Sequence, residues 1–341
     1  MRTGIAFASL VDRQRKSLTS INSDSVEEQA FKLTGICGTG KTVTLSAIER
    51  ELKQDSKWII IGLKPNSNLT NDLVARLYSE VPFLTKLIDA ELNLSAFGIG
   101  LNLSKKSPVA SIDTALRQLM QEIRKQQKRV LITIDEVQKT DAMIDFIQEF
   151  QLLIREDLPI YLIIAGLYED IEDIENTDGL TFLLRAARYE MTPLSIRIIK
   201  EDYKKTLSLS EETADRLARM TKGYAFAYQA FGKYMWESTG PEITDLILSQ
   251  VDEALSEKVY NKIWSELAPR DKFFLSYIVQ KEQMSASELL ELTKKKHNEW
   301  SEPRKRLIEK GILDGSVRGR ISLKLPRFGE YTRMRLEAEA D

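Results

Sequence analysis

Eight consecutive residues, Gly35-Ile36-Cys37-Gly38-Thr39-Gly40-Lys41-Thr42, fit the pattern G-x-x-x-x-G-K-T. A short apolar segment, Phe31-Lys32-Leu33, precedes them, and Val43, Leu45, Ile48 and Leu52 recur behind them at helical spacing. Strand, glycine loop and helix in that order form a phosphate cradle. The glycines let backbone N–H groups turn inward around phosphate oxygens, and the helix N-terminus adds positive field. Gly35, Gly38, Thr39 and Gly40 would shape the loop. Lys41 would reach the β and γ phosphates, and Thr42 would place its hydroxyl on Mg²⁺.

A second pair of chemical groups, Asp135-Glu136, ends the most hydrophobic run of the chain, Val130-Leu131-Ile132-Thr133-Ile134. Carboxylates at the C-terminal edge of such a strand lie where open α/β sheets bind ligands. Asp135 would complete the Mg²⁺ shell with Thr42. Glu136 would orient or deprotonate an attacking water. Phosphoryl transfer also needs positive charge opposite the γ phosphate, and Arg185 and Arg188 are the candidates for it. They can equally be ion-pair partners on a helix face.

Positioning these groups requires alternating strands and helices. Trp58-Ile59-Ile60-Ile61, Arg129 to Ile134 and Ile160 to Ala165 read as buried strands. Helices are expected from Asn71 to Tyr78, Ala110 to Gln127 and Ala142 to Arg155, and a hairpin or insertion fits Leu92 to Leu103. The fold class is therefore α/β, a P-loop parallel sheet sandwiched by helices. After Pro193 the strands stop, and Lys200 to Glu237 reads as a helical lid. The end of the chain follows the order helix, helix, hairpin. One helix follows Ser285, a second is capped by Ser301-Glu302-Pro303 and stops at Gly311, and a turn at Arg318-Gly319 joins two short strands. That is a winged-helix layout. The expected division is residues 1–195 for the core, 196–254 for the lid and 255–341 for the winged helix.

The net charge of −2 conceals an asymmetry. Residues 294–335 carry 13 Lys or Arg against five Asp or Glu, a local +8. Arg304, Lys305 and Arg306 fall on the helix that a winged helix lays in the major groove. Lys294 to Lys296 precede it, and Arg318, Arg320 and Lys324 would line the wing and meet duplex phosphates. The alternative is a solvated face on a protein-binding winged helix, since Glu299, Glu302 and Glu309 dilute the charge.

One cysteine and one histidine exclude an internal disulfide, a multi-histidine metal site and a zinc site. No apolar run approaches the roughly 18 residues that a membrane helix needs, so no membrane partner and a cytoplasmic location are expected.

Gly35 to Thr42, Val130 to Glu136 and Leu184-Arg185-Ala186 together resemble the AAA+/STAND superfamily of P-loop ATPases. Thr221-Lys222-Gly223-Tyr224 in a lid and the C-terminal winged helix are most similar to the origin-recognition-like and archaeal-type ATPases. The resemblance covers the chain from about Phe31 to Phe328. It implies an ASCE-type core, ATP rather than GTP as ligand, and homo-oligomeric assembly with sites shared between subunits. Arg185 matches the arginine-finger segment, and Val11-Asp12-Arg13 resembles the box that borders the adenine. Two departures are visible. Gly166-Leu167 stands where the family carries a polar sensor residue, and no sensor arginine follows Gly223-Tyr224-Ala225. Slow hydrolysis is the expectation. Two functions follow: a DNA-associated ATPase that assembles or remodels a nucleoprotein complex, or an ATP/ADP switch that regulates a protein partner without DNA.

Overall fold

The computed structural model describes residues 29–65, 68–84, 111–281, 283–294 and 297–340. The expected hairpin at Leu92 to Leu103, the Val11-Asp12-Arg13 box and the pair Lys295-Lys296 lie outside the described residues. Two compact units are distinguished among the described residues. The first holds residues 29–34 and 41–190. The second holds 35–40 and 191–340, so the glycine loop groups with the C-terminal half of the chain.

In the first unit, strands β1 (Ala30–Thr34), β2 (Trp58–Leu63), β3 (Arg129–Ile134), β4 (Ile160–Gly166) and β5 (Ala187–Glu190) form one sheet in the order β2-β3-β4-β1-β5. All four neighbouring pairs are parallel. Strand β4 is inserted between the strand before the glycine loop and the strand ending in Asp135, the additional-strand arrangement expected of the core. The inner strands are buried on both faces, which is why they read as nearly continuous runs of Val, Ile and Leu.

Helices α1 (Lys41–Leu52), α2 (Leu69–Glu80), α3 (Ile112–Lys125), α4 (Asp141–Arg155) and α5 (Tyr168–Glu175) cover the sheet. Leu73 and Leu77 of α2, Leu116 and Leu119 of α3, and Phe146 and Phe150 of α4 pack with Ile132, Ile134, Leu162 and Ile164 in one core. Each fully buried side chain of this kind contributes about 1.5–3 kcal/mol. By the two-residue period of a strand, Thr133 points to the opposite face, where its hydroxyl donates to Glu49 of α1 at 2.6 Å. The helix starts follow local chemistry: Asn68, Ser111 and Thr140 each accept a backbone N–H from the first turn they precede.

The second unit continues with the helices α6 (Ile196–Leu207), α7 (Glu211–Met220), α8 (Ala225–Glu237) and α9 (Asp245–Leu255). A π-helical turn, Ser256–Tyr260, leads into α10 (Asn261–Ser265). Then come α11 (Pro269–Ile278), β6 (Gln283–Ser285), α12 (Ala286–Thr293), α13 (His297–Glu309), β7 (Leu313–Asp314), β8 (Arg320–Leu323) and α14 (Phe328–Ala340). Strands β6, β8 and β7 form an antiparallel sheet in that order. The expected helix, helix and hairpin are present, with β6 and α14 added.

One boundary differs. Helix α13 starts at His297, not at the expected Ser301 cap, and Pro303 lies inside it. The buried indole of Trp300 explains this, because it packs against Phe273, Phe274 and Tyr277 of α11 and secures the turn before the proline.

Candidate functional site

The loop residues leave β1 and lead into α1. Gly38 and Gly40 have φ of +77° and +95°, a region that side chains with a Cβ enter only at a cost. The loop closes on itself, with the Thr39 hydroxyl donating to the Ile36 carbonyl at 2.8 Å. Two of its carbonyls are met by residues at the start of α8. The Tyr224 hydroxyl donates to the Cys37 carbonyl, and the Phe226 N–H donates to the Gly38 carbonyl at 3.0 Å.

Helix α1 begins at Lys41 and has no acidic residue in its first turn. The positive field at this end of the helix suits an anion. Thr42 lies next, exposed, and its hydroxyl donates to Oδ2 of Asp135 at 2.5 Å. The other carboxylate oxygen accepts the N–H of Glu136 at 2.9 Å. Hydroxyl and carboxylate thus converge, which is an oxygen donor pair of the kind Mg²⁺ takes along with waters and phosphate oxygens. Among the described residues no group of three or more His, Cys, Asp and Glu side chains could form an all-protein metal cage.

Glu136 itself is exposed and left-handed, with φ +54°. A non-glycine residue held there costs of order 1 kcal/mol, and such residues cluster at functional sites. The chain then rejoins the sheet, because the Val137 N–H donates to the Ala165 carbonyl at 3.0 Å. That bond also accounts for the missing polar residue after β4. A Cβ on Gly166 would lie 3.0 Å from Val137 Cγ2 and 3.2 Å from its carbonyl oxygen. Close backbone approach leaves little room there for any side chain.

Arg185 ends a 3₁₀ turn, Thr181–Arg185, and is exposed with no ion pair among the described residues. Arg188 is placed differently. It lies in β5, its guanidinium pairs with Glu175 and it covers the ring of Tyr168 at 4.6 Å. Glu175 is also bound by Lys32 at 2.7 Å, and Lys32 donates to the Leu183 carbonyl at 2.6 Å. This buried cluster ties β1 to the turn that carries Arg185. The pairing reading therefore holds for Arg188, on a strand rather than on a helix.

The C-terminal cations also divide. Lys305, Arg318 and Arg320 are exposed, and Arg304 is half-buried. Arg320 donates to Gln283 Oε1 at 3.2 Å. Arg306, expected among the DNA-facing cations, is instead held by the buried carboxylate of Asp271 at 2.6 Å. Its charge is matched inside its own domain.

Two features were not reached from sequence. Lys32, a charged residue in an apolar strand, was the signal for the buried cluster. Tyr224 carried no signal beyond its place beside Gly223, since loop contacts of a residue distant in sequence have no local pattern.

Residues 25–184 match the family described as "AAA domain", and residues 257–332 match a domain of unknown function. Among solved structures, the ORC2 protein of Aeropyrum pernix, in ADPNP–ADP complexes, is 14% identical with a TM-score of 0.53. The match covers 98% of this chain and 93% of that one. The Cdc6p protein of Pyrobaculum aerophilum is 15% identical over 99% of this chain and 96% of that one, at a TM-score of 0.49. The ORC1 protein of Aeropyrum pernix, in complex with DNA, is 14% identical at a TM-score of 0.44, over 97% and 92%. A search of curated proteins found no match. Residues 25–184 thus match an AAA-domain family, and the fold resembles that of the Aeropyrum pernix ORC2 protein.

Proposed function

We propose that the protein binds ATP with Mg²⁺, hydrolyses it slowly, and couples nucleotide-dependent assembly to DNA binding or nucleoprotein remodelling. The observation that carries the nucleotide reading is the 2.5 Å approach of Thr42 to Asp135 at the end of the glycine loop. Gly35, Gly38, Thr39 and Gly40 supply backbone N–H groups to the phosphates, and Lys41 reaches the terminal ones. Thr42 and Asp135 would hold Mg²⁺, whose charge would offset that of the phosphate oxygens. Glu136 orients the attacking water, and its exposure at the strand end leaves its carboxylate accessible. Arg185, exposed on its turn, is suited to reach a site on a second copy of the chain, which fits a homo-oligomer with shared sites. The family's polar sensor residue has no counterpart at Gly166, which agrees with slow turnover.

The DNA reading rests on the arrangement of α11, α12, α13 and the β7–β8 hairpin, read as a winged helix, and on the local +8 charge. Arg304 and Lys305 would face the groove, and Arg318 and Arg320 would meet phosphates from the wing. A second reading, an ATP/ADP switch acting on a protein partner, is favoured by one observation. Arg306 spends its charge on Asp271, which weakens the cationic face of α13.

Steady-state ATP hydrolysis with and without duplex DNA at low salt tests the choice. Stimulation that fades as salt rises supports the DNA-coupled ATPase. Turnover indifferent to DNA at every salt concentration supports the switch, and no turnover or nucleotide binding at all removes both.

A further inference from the structure

A phosphate cradle works when its N–H groups face the anion, and that requires the adjoining carbonyls to face away. Carbonyls turned outward need donors of their own. Here the Cys37 and Gly38 carbonyls find theirs at one place, the start of α8. The first accepts the phenolic hydroxyl of Tyr224 and the second accepts the N–H of Phe226. The fit is close, for a Cβ added to Gly38 would fall 2.2 Å from the phenol oxygen. Tyr224 is fixed in turn, since its N–H donates to the Thr221 carbonyl at 2.8 Å and its side chain is 6% exposed.

We propose that Tyr224 is a positioning residue for the phosphate loop, holding its outer carbonyls away from the ligand so that the inner N–H groups are aimed before a nucleotide arrives. This rests on the nucleotide reading above. The contact is neutral and is made to the loop's carbonyls, so it acts through geometry rather than charge. It lowers the ordering cost of binding instead of adding a contact to the phosphates. Two consequences follow. Its loss weakens di- and triphosphate binding by the same factor, and that factor is insensitive to salt. Burial raises the phenol well above its ordinary pKa, with a further rise from Cys37, so the hydroxyl remains a donor throughout the neutral range.

The test is titration of the full chain with fluorescent ADP and ATP, comparing wild type, Tyr224→Phe and Tyr203→Phe. The control removes another buried lid phenol, whose hydroxyl donates to the Tyr228 carbonyl at 2.6 Å. Tyr224→Phe is expected to raise Kd for both nucleotides about three- to tenfold, the worth of one net hydrogen bond. Tyr203→Phe is expected to lower the melting temperature and leave Kd unchanged. The proposal is overturned if Tyr224→Phe binds as tightly as wild type, or if both variants weaken binding equally. Should wild type bind neither nucleotide, the nucleotide reading itself has failed, and the proposal falls with it.

Discussion

The hydroxyl of Thr42 meets the carboxylate of Asp135 at 2.5 Å, although 93 residues separate them. Parallel strands make this meeting possible. Strands β1 and β3 run in the same direction through the sheet, so the first turn of α1 and the end of β3 emerge at the same edge. Asp135 then has one oxygen on Thr42 and the other on the Glu136 N–H, which fixes the carboxylate's orientation.

The two catalytic assignments separate by variant. Lys41→Ala is expected to abolish nucleotide binding. Glu136→Gln preserves shape but removes the charge proposed to orient water, so binding is expected to persist while turnover falls by about 10²–10⁴. Fluorescent-nucleotide titration and phosphate release check the pair. Normal ATP affinity in Lys41→Ala would sink the loop assignment, and unchanged turnover in Glu136→Gln would remove Glu136 from its role.

Much of the first unit and the glycine loop were legible because their signals are local. A buried parallel strand needs apolar residues on both faces, so Val130 to Ile134 and Ile160 to Ala165 stand out. The glycine loop has fixed residues at fixed spacing. Strand β5 was not legible, because Ala187–Glu190 is a half-exposed edge strand that exists by pairing with β1. Helix α14 was equally hidden. Its inward anchors are few, Phe328 and Tyr331 packing on Tyr260, in an otherwise charged stretch. The pairings of Arg188 and Arg306 could not be read from sequence. Their partners, Glu175 and Asp271, lie 13 and 35 residues away, and charge in a sequence does not show what it is matched with.

Lys32 offers a stability test. Its ammonium and the Glu175 carboxylate are 3% and 7% exposed, and Glu175 also pairs with Arg188. Glu175→Leu therefore strands the buried Lys32 ammonium and is expected to destabilise the fold by about 3–5 kcal/mol in chemical denaturation. Adding Lys32→Met removes the stranded ammonium and should recover a large part of that loss. A single variant within about 0.5 kcal/mol of wild type would mean that the cluster is not closed in solution.

A pH dependence follows from the capping box at α12. Glu288 is lowered to about 2 from 4.5, first by its hydrogen bond to Lys281 and then by the Ser285 N–H. A carboxylate with a depressed folded pKa stabilises fully above its unfolded value and loses that contribution as pH falls toward the folded one. The loss therefore lies between pH 4.5 and about 2. Melting curves across that window should fall more steeply for wild type than for Glu288→Gln. Identical slopes would place the acid sensitivity elsewhere.

The division among the C-terminal cations gives the last prediction. Arg318 and Arg320 are exposed at the hairpin, where a phosphate contact releases counterions but reads no base. Replacing both with alanine should weaken duplex binding uniformly across sequences and flatten the plot of log K against log salt by about 1 per cation lost. Arg306→Met should act on the fold instead. Its guanidinium neutralises Asp271, which is 1% exposed, so the variant leaves an uncompensated buried carboxylate. The expected result is a lowered melting temperature with an unchanged salt slope in the folded fraction. An unchanged melting temperature with a shallower slope would return Arg306 to the DNA-facing set. If wild type shows no salt-dependent retention on duplex DNA, the basic hairpin serves a protein partner, and the switch reading takes precedence.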